Sequence, residues 1–459
     1  MKIRHGFMAA LSLLAPMVAW AQDAATAAAP AKLDTGDTAW VLASTALVLL
    51  MTPGLAFFYG GMVRTKNVVS TLFQSFFAIA LVGLIWAVCG YSLAFAKGNG
   101  FLGSLDWAFL NGVGQEPFAD YSATVPHAAF MLFQAMFAVI TPALFTGAFA
   151  ERVKFKSWLA ICALWSVCVY APVAHWVWGV GGWIRELGGL DFAGGLVVHM
   201  TAGFSALALA MVFGKRRDFG SETKAYDAGY VLLGTSLLLF GWFGFNAGSA
   251  LGANGLAAQA FGTTFFAACA ATVTWTLVDT FLRGKPSAIG AAIGCVAGLV
   301  AVTPAAGFVS FGSAILIGAI AGSVCNFAAR FVKSALKLDD SLDVFACHGV
   351  GGAIGVIMTG LLSSKAINSA GADGLIYGNI TVLKANIIGA AAVGVFSFVG
   401  TFVLAKAVGI VFGLRVNDQE ETAGLDASEH DELINSNFLT PVQEHHQSQN
   451  SGSSLKSAS

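Results

Sequence analysis

The sequence predicts an all-α polytopic membrane protein with eleven transmembrane helices. Three observations carry this. Hydrophobic residues make up 57% of the 459 positions and charged residues only 11%, against roughly 45–50% and about 25% in soluble domains. Mean hydropathy is +0.74, and the apolar residues gather into about eleven runs near the ~20-residue length that crosses a bilayer. The 54 glycines suit helices packed backbone to backbone in lipid, where small residues permit close approach. A net charge of -1 argues against nucleic acid as a partner.

At the N-terminus, Lys2, Arg4 and His5 precede an apolar run that ends at Ala19-Trp20-Ala21. A basic start and a small-x-small site predict a signal peptide over residues 1–21, with an uncleaved first helix as the alternative. Residues 22–37 read as an external tail. Spans are expected at 38–62, 70–96, 126–149, 157–179, 193–213, 228–250, 258–282, 287–308, 311–332, 344–363 and 385–413, so that 38–414 is the transmembrane domain. Loop charge orients them. Alternate loops carry Arg64/Lys66, Arg152/Lys154/Lys156, Lys215/Arg216/Arg217/Lys224, Arg283/Lys285, Arg330/Lys333/Lys337 and Arg415, while the others hold little beyond Lys97, Arg185, Lys365 and Lys384. The basic loops belong in the cytoplasm. The N-terminus is then external, and residues 415–459 form a cytoplasmic tail, acidic at Asp418, Glu420 and Glu421 and expected to be disordered at its end.

Five spans followed by five give halves of opposite orientation plus a final helix, the inverted-repeat plan whose site lies near the midplane. His199 and His348 occupy the fifth span of each half. Each enters from its own side, and at 1.5 Å per residue both converge on the middle of a ~30 Å core. Ionisable groups inside a membrane are costly and face a partner or a pathway, so the pair points to a path for a titratable or hydrogen-bonding solute. Asp191 and Asp343 stand where these helices start and are expected to cap free N–H groups rather than contact a ligand. The seven cysteines fall in apolar runs without CxxC spacing and read as small buried hydrophobes. No metal-ligand cluster, cofactor motif or catalytic constellation appears, so an enzyme is not expected.

Five segments then match a family. PGLAFFYGGMVRTKNVVS (53–70), GAFAERVKFK (147–156), LDFAGGLVVHMTAG (190–203), GWFGFNAGSA (241–250) and DVFACHGVGGAIG (343–355) resemble the signature segments of the ammonium transporter/methylammonium permease family, in the superfamily that includes the Rhesus-type proteins. The resemblance covers residues 38–430 and implies a homotrimer with a pore in each subunit, ammonium as substrate with methylammonium as analogue, and a bacterial inner-membrane location. It also implies a PII-type signalling partner at the cytoplasmic face. Carried over, the paired pore histidines are His199 and His348. The recruitment site is Trp178, Ser249 and Phe137, the stacked phenyl gate is Phe137 and Phe245, and Asp191 supports recruitment. Trp178 favours the ammonium-transporter branch. The tail departs from the pattern at EHDEL, where the family has EHGE-Ala-Tyr.

The chemistry can be argued beside the resemblance. Aromatic faces at the pore mouth hold a cation by cation–π attraction, worth ~0.5–2 kcal/mol, and a Ser249 hydroxyl accepts an N–H bond. Ammonium, unlike potassium, can shed a proton and continue as ammonia. Without the resemblance, Phe137 and Phe245 read as core and Trp178 as an interfacial-belt residue. His175 and His127 have no counterpart in the other half and read as structural. His430, His445 and His446 are tail residues. Two other functions stay open: an ammonium sensor signalling through a partner, and a channel for another small neutral solute, which would need no cation site. Charges at 152–156, 215–217 and 418–421 are expected to form a mixed docking surface at the inner mouth.

Overall fold

The computed structural model describes residues 32–221 and 224–434; the expected signal peptide, His445 and His446 lie outside the described residues. Eleven helical spans follow one another: α1 (Thr35–Met62), α2 (Thr65–Phe95), α3 (His127–Phe149), α4 (155–178), α5 (Gly195–Phe213), α6 (Ala228–Gly248), α7 (Gly255–Arg283), α8 (Ala288–Val302), α9 (Phe311–Ser334), α10 (Phe345–Leu362) and α11 (Thr381–Phe412). Two short helices, α12 (Asp418–Ala423) and α13 (Leu425–His430), form the tail. Among the described residues, β-pairing is limited to three isolated bridges. The first helix begins at Thr35, where the Asp34 side chain accepts from the Asp37 amide. Residues 35–37, expected in the external tail, therefore belong to α1.

The exterior is apolar, with Phe281 and Ile410 each 88% exposed, as bilayer solvent requires. Cys168 and Cys269 are exposed on it, which corrects their reading as buried.

Equivalent helices of the two halves pack against each other. α1 lies along α6 at contacts so close that a Cβ on Gly61 would sit 2.7 Å from the Val231 amide nitrogen and one on Gly244 2.8 Å from the Ser44 carbonyl oxygen. α5 crosses α10 where Gly203 lies directly on the Gly349 backbone, an approach no side chain would permit.

α8 departs from the expected 287–308. Its 15 residues rise ~22 Å, short of the core, because Pro304 has no N–H to continue the ladder. Residues 303–309 complete the crossing as turns, all buried, the setting in which irregular backbone is tolerated at membrane depth. The Pro304 carbonyl accepts from the Phe192 amide at 3.1 Å, on the segment leading into α5. In the other half, α3 tightens into a 3₁₀ turn at Thr146–Phe149, and its Gly147 carbonyl accepts from the Leu342 amide at 3.2 Å, leading into α10. Each broken third span thus supports the entry to the opposite half's histidine helix.

Candidate substrate pathway

Both histidines lie in π-helical turns, Gly195–Met200 and Phe345–Val350, a distortion that gathers at functional sites. Each is within the first turn of its helix. Non-helical leads, 187–194 and 335–343, bring the chain to the two helix starts. At α5 the Asp191 carboxylate accepts from the amides of Gly194, Gly195, Leu196 and Val197 at 2.6–3.2 Å. Gly194 turns the chain at φ +123, a conformation that favours glycine. Burial raises the Asp191 carboxyl above its usual range, opposed by these four amide bonds.

At α10 the expectation for Asp343 is corrected. It stands at the helix start, but at φ +60 its carboxylate turns away to pair with Lys333 at 2.8 Å. Asp340 does the capping and accepts from the Phe345 amide at 2.8 Å. Its carboxyl is pushed up to about 6 by burial and by the neighbouring Asp343.

A cavity of about 530 Å³ opens at the end of the bundle opposite the tail, lined among others by Tyr121, Gln134, Trp178, Arg185, Asp191 and Ser249. The Trp178 indole N–H donates to the Asp191 carbonyl at 2.9 Å, and the Trp178 carbonyl accepts from Arg185 at 2.8 Å. The first contact orients the ring at the cavity wall, and the second holds the backbone that carries it. The Ser249 hydroxyl spends its proton on the Phe245 carbonyl at 2.8 Å, which leaves its oxygen lone pairs for a donor. Phe137 stands edge-on to Trp178 at 5.8 Å and 90° and lies against Phe245 at 4.3 Å. Each phenyl ring is 1% exposed, and the pair runs from Trp178 at the cavity wall into the interior.

Beyond it lies a cavity of about 10 Å³, lined among others by Leu144, His199, Trp242, Phe245, Val296 and His348, space for about one water-sized molecule. The Nδ1 atoms of His199 and His348 approach to 3.3 Å. A hydrogen bond between them needs one protonated and one bare Nδ1, so the pair leaves one Nε2 as acceptor and the other as donor. His199 Nε2 has no protein partner. The His199 ring stacks on Trp242 at 5.4 Å and 24° and on Phe245 at 5.9 Å and 21°. Trp242 was not singled out from the sequence. Its signal was there, since it precedes Phe245 by three residues and shares its helix face.

The remaining histidines lie elsewhere. His175 spans the Ala94 and Asn99 carbonyls at 3.0 and 2.7 Å, and His127 meets the Tyr91 hydroxyl at 2.6 Å.

At the tail end, the expected docking surface is partly internal. Glu151 accepts from the Arg64 amide at 2.7 Å and pairs with the Arg64 and Arg216 guanidinium groups at 2.8 Å; Arg216 forks onto Asp339. The arginines hold the Glu151 carboxyl at about 2, against the opposing effect of burial. Arg152 is fully buried and donates to the Ala148, Ala150 and Asp339 carbonyls and to Ser341. Arg415 is tied to buried Glu421 at 2.7 Å. Lys156, Lys215, Arg217 and Asp418 remain exposed.

The tail is docked. Asp426 accepts from the Val69 and Ser70 amides, Glu429 from the Phe155 amide, and His430 sits edge-on to Phe73 and Phe155. The residue that replaces the pattern's glycine, Asp431, is left-handed at φ 52.

Known proteins resemble this chain in sequence and fold. The model of the Ammonium Transporter Family matches residues 39–434. The chain is 51% identical to an ammonium transporter of Bacillus subtilis over 397 residues, 86% of this chain and 98% of that protein. It is 46% identical to the ammonium transporter Amt1 of Archaeoglobus fulgidus, over 87% and 98% of the two. Among solved structures, Saccharomyces cerevisiae Mep2 superposes with a TM-score of 0.79 at 35% identity, covering 85% of this chain and 89% of that one. A sensor Amt protein superposes at 0.78 and 29% identity, covering 86% and 98%. With the family match spanning the whole bundle and the docked tail, the chain belongs to the ammonium transporter family.

Proposed function

We propose that this chain moves ammonium by capturing the cation at Trp178, Ser249 and Phe137, transferring its proton at the Phe137/Phe245 closure to water of the open cavity or to the bare nitrogen of the histidine pair, and passing ammonia along His199 and His348. One observation carries the reading: an open polar cavity and a nearly filled cavity at the histidine pair are separated by two phenyl rings 4.3 Å apart. Ammonium at the wall gains an aromatic face and the free lone pairs of Ser249. A bare cation has no comparable hydration beyond the rings. Ammonia does, because the acceptor Nε2 takes its N–H and the donor Nε2 binds its lone pair. Potassium has no proton to lose and stops at the closure. The transport reading is favoured over a sensor by relatives named as transporters at 51% and 46% identity, against 29% for the sensor.

The same reading places the cavity end outside a bacterial inner membrane and the tail in the cytoplasm, in keeping with the basic loops at the tail end. It gives the protein a homotrimeric assembly with one pathway per subunit. It also gives a PII-type partner for the inner mouth, contacting Lys156, Lys215, Arg217 and Asp418, the charges left free of the buried network. Uptake and current measured together in proteoliposomes, with ammonium, methylammonium and potassium compared, test the function. Ammonium and methylammonium flux with potassium excluded is the expected result, and the charge moved per ammonium shows whether the released proton crosses too. Equal potassium flux would overturn the deprotonation step.

A further inference from the structure

From the break at the end of α8, we infer that Thr303 is a positioning residue for the pathway: it holds the Trp242 indole against His199 and so sets the orientation of the histidine pair. This rests on the pathway proposed above. Thr303 is the first residue beyond α8 and is fully buried. Its hydroxyl donates to the Leu299 carbonyl at 2.7 Å and accepts the Trp242 indole N–H at 2.9 Å. The hydroxyl therefore has a fixed direction, and the indole plane is fixed with it.

Trp242 needs that anchor. It is 2% exposed, and a buried indole N–H without a partner is unfavourable. The anchored ring lies nearly parallel to His199 and 5.4 Å from Phe245, and the three rings pack mutually, His199 lying 5.9 Å from Phe245. His199 makes a side-chain hydrogen bond only through Nδ1, to His348, and its Nε2 has no protein partner. Rotation of the imidazole is thus restrained by the Nδ1 bond and by the stacked rings of Trp242 and Phe245. The break in α8 braces the same histidine a second time through the backbone: Pro304 packs against Gly195, the first residue of α5, and its carbonyl holds the Phe192 amide. Thr303 keeps helical φ/ψ, so α8 itself aims its hydroxyl, and the turn that follows supplies the Pro304 contacts. The end of α8 thus supports His199 twice, through Thr303 and Trp242 and through Pro304 at the α5 entry.

The test is a double-mutant cycle on ammonium flux in proteoliposomes, using Thr303→Val, Thr303→Ser, Trp242→Phe and the Thr303→Val/Trp242→Phe pair. Thr303→Val keeps the shape and removes the hydroxyl. It is expected to lower saturating flux roughly tenfold while leaving the half-saturating concentration unchanged, since capture occurs beyond the phenyl closure. Thr303→Ser restores the flux. In the Trp242→Phe background, which has no indole N–H to anchor, Thr303→Val adds no further loss. If Thr303→Val fails to fold, Trp242→Phe removes the same hydrogen bond from the other side and is expected to show the same loss at unchanged half-saturation. Wild-type flux in Thr303→Val, no rescue by serine, or an undiminished Thr303→Val effect on top of Trp242→Phe would each overturn the inference. Failure of the pathway itself reads differently, as wild-type flux when either histidine is replaced by leucine.

Discussion

In the proposed pathway single side chains divide into capture and conduction, and the two are separable in measurement. His199→Leu or His348→Leu removes one member of the 3.3 Å Nδ1 pair and leaves an apolar side chain of similar size. Each is expected to abolish ammonium flux or to break its coupling to current, with the purified protein still folded by thermal denaturation. Wild-type flux and selectivity in both variants would refute the histidine role. Trp178→Leu removes a cation–π face of ~0.5–2 kcal/mol at the cavity wall. Methylammonium uptake should fall several-fold at low concentration and little at saturation, because the lost contact acts at entry. A uniform loss at all concentrations would instead report damaged packing. Asp191 belongs to neither class, since its carboxylate is occupied by four amides of the α5 entry.

Among the elements, the tail shows how a departure from the family's sequence pattern is accommodated. Glu429 and His430 dock at the start of α4 and beside Ser70, and the chain then turns at Asp431 through φ 52. A left-handed residue costs roughly 1–2 kcal/mol for most side chains and less for aspartate, and glycine adopts it freely. Asp431→Gly should therefore strengthen tail docking by up to about 1 kcal/mol. Slower hydrogen exchange at the Asp426–Asp431 amides reads this out; faster exchange would show that the Asp431 side chain stabilises the turn. The histidine helices follow a related logic. Both begin with a carboxylate at their first amides, Asp191 for α5 and Asp340 for α10, after a non-helical lead.

For the whole molecule, the Glu151 network ties the tail-end loops into one unit: Arg64 from the turn into α2, Arg216 from the loop after α5, and Asp339 from the lead into α10. The Glu151 carboxyl lies at about 2 in the fold against 4.5 when free. A depressed carboxyl contributes stability that is complete above the free value and is lost as pH falls from 4.5 toward 2. That difference corresponds to on the order of 3 kcal/mol. The detergent-solubilised protein should melt at lower temperature as pH drops from 5 to 3, and Glu151→Gln should be less stable at neutral pH with a flatter pH profile. An unchanged profile in Glu151→Gln would assign the acid sensitivity to other carboxyls.

Hydropathy and loop charge by themselves determined the eleven spans, since burial in lipid acts on each segment separately and leaves its mark in local composition. The spans of α5, α9 and α10 were legible to within two residues at each end. The two histidines were legible as well, because an ionisable group in an apolar run stands out against its neighbours. Only the tertiary structure decided what depends on contacts between distant residues. The rings of His199 and His348, 149 positions apart, meet because Gly203 and Gly349 let their helices touch. Asp340 rather than Asp343 caps α10 because Lys333, on another helix, draws Asp343 away. Arg152 and Arg216 are interior because carbonyls and carboxylates from other loops surround them. Trp242 is one of eleven tryptophans, and the helix face it shares with Phe245 does not say which ring it covers. Its place over His199 follows from Thr303, two spans later, at the point where a proline stops a helix short.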